Sequence, residues 1–174
     1  MSRLSRRRTL GFLGAFGAVV LGRVGRAGEL IADPRTDGPS PFAGLWTYRS
    51  LINNPDPKVA FNDLEFAVAD LTVKDAGFGE FAGRLSFGDD GLALKGTITY
   101  GHPFAVRFQG NGDSAGTKGW IYNYQGYLAP AWPDGVNQRP AIVGTIVRTV
   151  AHGAGNPAGF VASFVAVKRD FAAK

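Results

Sequence analysis

Leu92-Ala93-Leu94-Lys95-Gly96-Thr97-Ile98-Thr99-Tyr100, followed closely by Phe104-Ala105-Val106-Arg107-Phe108-Gln109-Gly110, is the stretch from which the fold is read. Side chains in a strand alternate between two faces, so Leu92, Leu94, Gly96, Ile98 and Tyr100 share one side while Lys95, Thr97 and Thr99 take the other. Phe104, Val106 and Phe108 repeat the pattern opposite Arg107 and Gln109. The apolar face of each segment points to a core.

Outward from this pair, the same alternation or a β-rich composition marks segments at about Gly44–Ile52, Asp63–Lys74, Glu80–Phe87, Lys118–Leu128, Ala141–Val150 and Ala158–Arg169. Turn-forming runs separate them, among them Asn53-Asn54-Pro55-Asp56-Pro57, Gly88-Asp89-Asp90-Gly91 and Asn111-Gly112-Asp113. The last segment is nearly dry on both faces, with Phe160, Ala162, Phe164 and Ala166 on one and Val161, Ser163, Val165 and Val167 on the other. Such a strand is central, a barrel seam or a subunit contact. Eight strands with short sequential connections predict an all-β domain, an antiparallel up-and-down β-barrel, which closes on itself and leaves no unpaired edge. A two-sheet sandwich is the alternative.

Composition agrees. A chain of 174 residues has room for one domain, and its 25 glycines and 13 phenylalanines suit tight turns between aromatic-rich strands. The formal charge of +5 comes from the N-terminus: Arg3, Arg6, Arg7, Arg8, Arg23 and Arg26 all precede the first acidic residue, Glu29. Without them 13 basic residues face 14 acidic ones, so no nucleic-acid partner is expected. With no cysteine, the fold rests on its core, and thiolate metal sites and cysteine-linked lipid anchors are excluded.

Ser5-Arg6-Arg7-Arg8-Thr9-Leu10 resembles the twin-arginine motif of Tat substrates, with Thr9 where a phenylalanine is commonest. The apolar stretch Leu10–Leu21 is shorter than the roughly 20 residues a spanning helix needs. Gly25-Arg26-Ala27 offers small residues to a signal peptidase. A mitochondrial presequence is the other reading of an arginine-rich start. The resemblance implies a signal over residues 1–27, an extended linker over 28–41 and the barrel over 42–174. It also implies folding before export, the Tat translocase as a transient partner, and a periplasmic or secreted, soluble product.

Gly44-Leu45-Trp46, at the head of the first strand, is similar to the Gly-x-Trp signature of the calycins, the barrel superfamily of lipocalins and avidins. That resemblance implies a tryptophan closing one barrel end beneath a basic residue from a late strand, here Arg148 or Arg169. A lipocalin-type Thr-Asp-Tyr motif is missing from the later half. The allene oxide cyclase and dirigent group, which performs cyclisations in a similar barrel, is an equal analogy.

Trp120, Tyr122 and Tyr124 fall on one strand face and Asn123 and Gln125 on the other. Such an aromatic wall stacks on a flat ligand and orients it through phenolic hydroxyls. The Pro- and Gly-punctuated segment that follows presents Trp132, Asn137, Gln138 and Arg139 to a barrel mouth, the arginine suited to a carboxylate or phosphate. Trp46 and Tyr48 share the inner face of the first strand, with Arg49 opposite. The expected ligand-binding set is therefore Trp46, Tyr48, Tyr122, Tyr124, Trp132, Asn137, Gln138 and Arg139, the competing view being that the aromatics simply fill the barrel. His102 and His152 read as exposed turn residues. No metal site, catalytic triad or cofactor is expected: Gly110–Gly116 reads as a hairpin connection, and Ser163 lacks a nucleophile elbow.

The leading functional expectation is non-covalent binding of a small aromatic or apolar molecule. The alternatives are a cofactor-free isomerase or cyclase using Tyr122 or Tyr124 as proton donor, and an accessory module that associates through the last strand, as in a homo-oligomer.

Overall fold

The computed structural model describes residues 40–77, 79–130 and 138–169. The expected signal at 1–27, nearly all of the linker, Trp132 and Asn137 lie outside the described residues. Eight strands are present: β1 (Gly44–Ile52), β2 (Glu65–Lys74), β3 (Glu80–Phe87), β4 (Asp90–Thr99), β5 (Ala105–Gly112), β6 (Ile121–Leu128), β7 (Ala141–Arg148) and β8 (Val161–Lys168). Each pairs antiparallel with its neighbours in chain order, and β8 returns to β1 from Trp46↔Lys168 to Ile52↔Ala162. The sheet is a closed eight-stranded barrel, and the sandwich is set aside. Among the described residues no helix is long and apolar enough to cross a membrane.

At the start of β6, side-chain hydrogen bonds explain a strand end that differs from expectation. β6 starts at Ile121 rather than Lys118 because the buried Thr117 donates from Oγ1 to the Gly91 carbonyl at 2.8 Å and meets Ser114 Oγ at 2.7 Å. Ser114 in turn donates to Asp90 at 2.6 Å, and Arg84 holds Asp113 at 2.7 Å. The β5–β6 connection is thereby pinned to the β3–β4 hairpin, confirming it as a strand connection. At the start of β2, Phe61–Leu64 form a 3₁₀ turn in place of an extended lead-in.

Alternation places the inner face as the pattern predicts. Leu92, Leu94, Ile98, Val106, Phe108, Tyr122, Tyr124 and Phe164 are buried, and Asn123 and Gln125 are exposed. Burial of each large apolar side chain contributes about 1.5–3 kcal/mol. The rings form a continuous chain across the lumen: Phe81 stacks on Phe108 at 4.5 Å, Phe108 on Tyr124 at 4.5 Å, and Tyr48 on Phe164 at 5.5 Å. Glycines face several of them across the ladder, in the pairs Gly96↔Phe108, Gly110↔Tyr122 and Gly144↔Phe164. A methyl group at Gly110 would lie 3.2 Å from the Tyr124 ring. These glycines serve as space for rings in a narrow barrel, a use the turn-based reading of composition had not anticipated.

The two ends of the barrel differ. The lower rim, where β1 begins and β8 ends, is plugged by the fully buried Trp46 and Phe42, with the indole Nε1 donating to the Phe42 carbonyl at 2.9 Å. The cation over Trp46 is Lys168, whose Nζ sits 5.4 Å from the ring. Neither expected arginine takes that place. Arg169 reaches along the outer wall to Asp70 and Thr47, and Arg148 belongs to the upper rim. β8 is a seam strand paired on both sides, and its outward Val161 and Val167 are exposed.

Candidate ligand-binding cavity

The upper rim gathers the ends of β1, β3, β5 and β7 and the starts of β2, β4, β6 and β8. Inside it lies a cavity of about 380 Å³. That volume falls within the range of small-molecule sites. Its walls are aromatic and aliphatic, with Phe66, Phe87 and Trp120 near the mouth and Leu85, Leu92 and Ile146 deeper. A second concavity of about 510 Å³ lies on the outer wall among solvated Lys95, Arg107, Gln109 and Asn123, without an apolar lining of comparable depth.

Three of the eight expected binding residues converge on the inner cavity: Tyr48, Tyr122 and Tyr124. Trp46 does not, because it plugs the opposite rim. Gln138 and Arg139 precede β7 at that same lower rim, where Arg139 donates to the Arg169 carbonyl at 3.4 Å. The mouth expected beside the β6–β7 connection is thus at the far end of the barrel from the cavity.

The polar groups of the cavity fall into two sets. Tyr48 and Tyr124 line it, and their hydroxyls are buried and make no hydrogen bond. Burial pushes both phenols well above their ordinary ionisation range; Ser50 and Tyr124 lie near enough to Tyr48 to offset this only in part. Each unpaired buried hydroxyl costs about 1–3 kcal/mol.

At the rim, Tyr122, Arg148 and His152 form a cluster. Tyr122 and Arg148 are directly paired across β6 and β7, and Arg148 Nε donates to the Tyr122 hydroxyl at 3.4 Å. The same hydroxyl is 2.8 Å from His152 Nε2. The phenol oxygen accepts from the guanidinium, and the tautomer of the imidazole sets which of His152 and Tyr122 donates in the second contact. Burial, reinforced by the Arg148 charge, lowers the His152 pKa below the ordinary value and favours the neutral ring.

Local structure fixes this cluster. His152 stacks on Trp120 at 4.1 Å, nearly parallel, and its backbone N–H donates to the Asn156 carbonyl at 3.1 Å. Gly153, with φ of +67°, turns the chain back directly after the histidine. Arg148 Nη1 donates to the Pro157 carbonyl at 3.2 Å, tying the β7–β8 connection to the rim.

The sequence had offered one unused signal. Ile142, Gly144, Ile146 and Arg148 share a face by alternation, which turns a charged side chain inward. Ser50 is inward with Trp46 and Tyr48 for the same reason. His152 carried no such signal, since a connection has no period. It had been read as an exposed turn residue, and the structure half-buries it against Trp120 instead. Among the described residues no group of three His, Cys, Asp or Glu side chains is placed to hold a metal ion. Comparison with protein-family models, curated proteins and solved structures gave no match to this chain.

Proposed function

We propose that this chain is an exported binding protein that holds a small aromatic or apolar ligand inside the upper half of its barrel. The observation that carries the reading is the aromatic cavity of about 380 Å³, lined by Tyr48 and Tyr124, whose buried hydroxyls make no hydrogen bond. A concave, mainly apolar space with a few polar groups is what a small ligand needs, and a ligand polar atom reaching Tyr48 and Tyr124 would relieve both. Export is supported by the Ser5–Leu10 motif and the apolar run behind it. The Gly44-Leu45-Trp46 start, with Trp46 closing one end, is consistent with a calycin-like barrel. Native mass spectrometry on protein recovered from the exported fraction of its host tests the reading. A stoichiometric extra mass that leaves on denaturation is expected; a bare chain that also fails to take up apolar dyes would overturn it.

A second reading, a cofactor-free isomerase or cyclase, is favoured by one specific contact. The Tyr122 hydroxyl between His152 at 2.8 Å and Arg148 at 3.4 Å is arranged as a proton donor with a base behind it and a cation beside it. This reading requires that Tyr122→Phe abolish turnover while ligand binding survives, whereas simple binding requires only a change in affinity.

A further inference from the structure

We infer that the ligand is an organic acid, its anionic group docked on Arg148 at the rim and its apolar body extending toward Tyr124. The inference rests on the binding reading above and narrows it to a chemical class. Arg148 is 4% exposed and lines the cavity, and no carboxylate pairs with it among the described residues. Its partners are neutral: the Tyr122 hydroxyl, the Pro157 carbonyl, and the rings of Phe66 and Phe160 at 5.6 and 5.1 Å. Three of the exposed or half-exposed arginines differ. Arg49, Arg84 and Arg169, all more exposed, are paired with Glu65, Asp113 and Asp70. Arg107 and Arg139, which also lack an ion pair among the described residues, are exposed to water, so Arg148 is the buried arginine without an acid.

A buried guanidinium without a counter-charge is costly, and its planar fork matches a carboxylate or related oxyanion. The described cavity lining contains no Asp or Glu, so an anion there meets no repelling carboxylate. Neutral His152, with its pKa held down, leaves Arg148 as the full charge of the rim cluster. One inward position deeper on β6, roughly 7 Å along the strand, Tyr124 also lines the cavity, and its buried hydroxyl makes no hydrogen bond. The fitting ligand is therefore an aromatic or alicyclic acid with a second polar atom about one ring away.

Two dyes with the same apolar framework provide the test: anilinonaphthalene sulfonate, which is anionic, and phenylnaphthylamine, which is neutral. Fluorescence titrations of the folded chain are expected to show roughly tenfold or greater preference for the sulfonate. Arg148→Met is expected to erase that preference while retaining the neutral dye. Equal affinity for both dyes in the unmodified protein, or a preference that survives in folded Arg148→Met, overturns the acid assignment and leaves the cavity reading standing. Uptake of neither dye overturns both. Should Arg148→Met fail to fold, the comparison in the unmodified protein and in Arg148→Lys decides: a preference that is present in the first and weakened in the second supports the assignment, and any other pattern overturns it.

Discussion

His152 Nε2 and the Tyr122 hydroxyl are 2.8 Å apart although 30 residues separate them in sequence, and the imidazole lies flat on Trp120 with Arg148 below. The histidine thereby covers the rim cluster and hydrogen-bonds its phenol. A contact of this kind converts an otherwise ordinary turn into part of the cavity wall.

His152 is expected to titrate below 6.5, because burial first and the Arg148 charge second oppose its protonation. As pH falls from 6.5 toward the depressed value, the unfolded chain takes up a proton that the folded chain resists. His152 therefore supports folding above pH 6.5 and weakens it progressively in acid. Nuclear magnetic resonance of the imidazole protons reads the midpoint, and Arg148→Met is expected to move it upward. A midpoint at or above 6.5 would dissolve the neutral-histidine arrangement.

Tyr48 and Tyr124 are expected to remain protonated in alkali until the barrel opens. Burial suppresses the ionisation of both. The unfolded chain releases their protons near pH 10 and the folded chain holds them, so their contribution to stability is intact below pH 10 and falls above it. Ultraviolet titration should show a late, cooperative phenolate step coincident with loss of barrel circular dichroism. A smooth titration of all tyrosines before unfolding would contradict the burial.

How far the sequence carried is seen by comparing β6 with the rim. Tyr122 and Tyr124 were placed on the inner wall by period alone, because a strand leaves a side chain only two directions and neighbouring Asn123 and Gln125 claim the wet one. The same rule set Tyr48 inward. What it could not supply was which end of the barrel is open. That depends on Trp46 and Phe42 filling the lower rim, and on Trp120 and His152 meeting across two connections. Those are contacts between residues far apart in the chain, and no local pattern encodes them. Arg148 lies between the cases: its inward direction was legible from Ile142, Gly144 and Ile146, while its lack of a carboxylate partner was visible only once the surface ion pairs were on view.

Replacing Tyr124 by phenylalanine is expected to separate stability from binding. The hydroxyl has no partner in the unliganded barrel, so Tyr124→Phe should leave the melting temperature unchanged or raise it, by the equivalent of up to about 1–3 kcal/mol. The ring stack on Phe108 at 4.5 Å survives the change. Affinity for a ligand that uses the hydroxyl should fall by roughly tenfold. A large loss of stability with no change in binding would assign the hydroxyl to the fold instead.

Gly144→Ala tests whether inward glycines set the room available to the rings. Gly144 pairs with Phe164 on β8, and a methyl group there would lie 2.8 Å from the Phe164 ring edge and closer still to the Gln125 carbonyl on β6. The carbonyl belongs to the ladder and cannot rotate away, so the strain is relieved only by moving β6 or displacing Phe164 from its stack on Tyr48 at 5.5 Å. Overpacking of this kind costs about 1–3 kcal/mol. The variant should therefore melt several degrees lower, with altered near-ultraviolet dichroism from the displaced rings. Thr145→Ala, on the exposed outer face of the same strand, should melt close to the unmodified chain. If both variants melt alike, the glycine is not a spacer, and the breadth of the cavity above it must be set by the strand geometry alone.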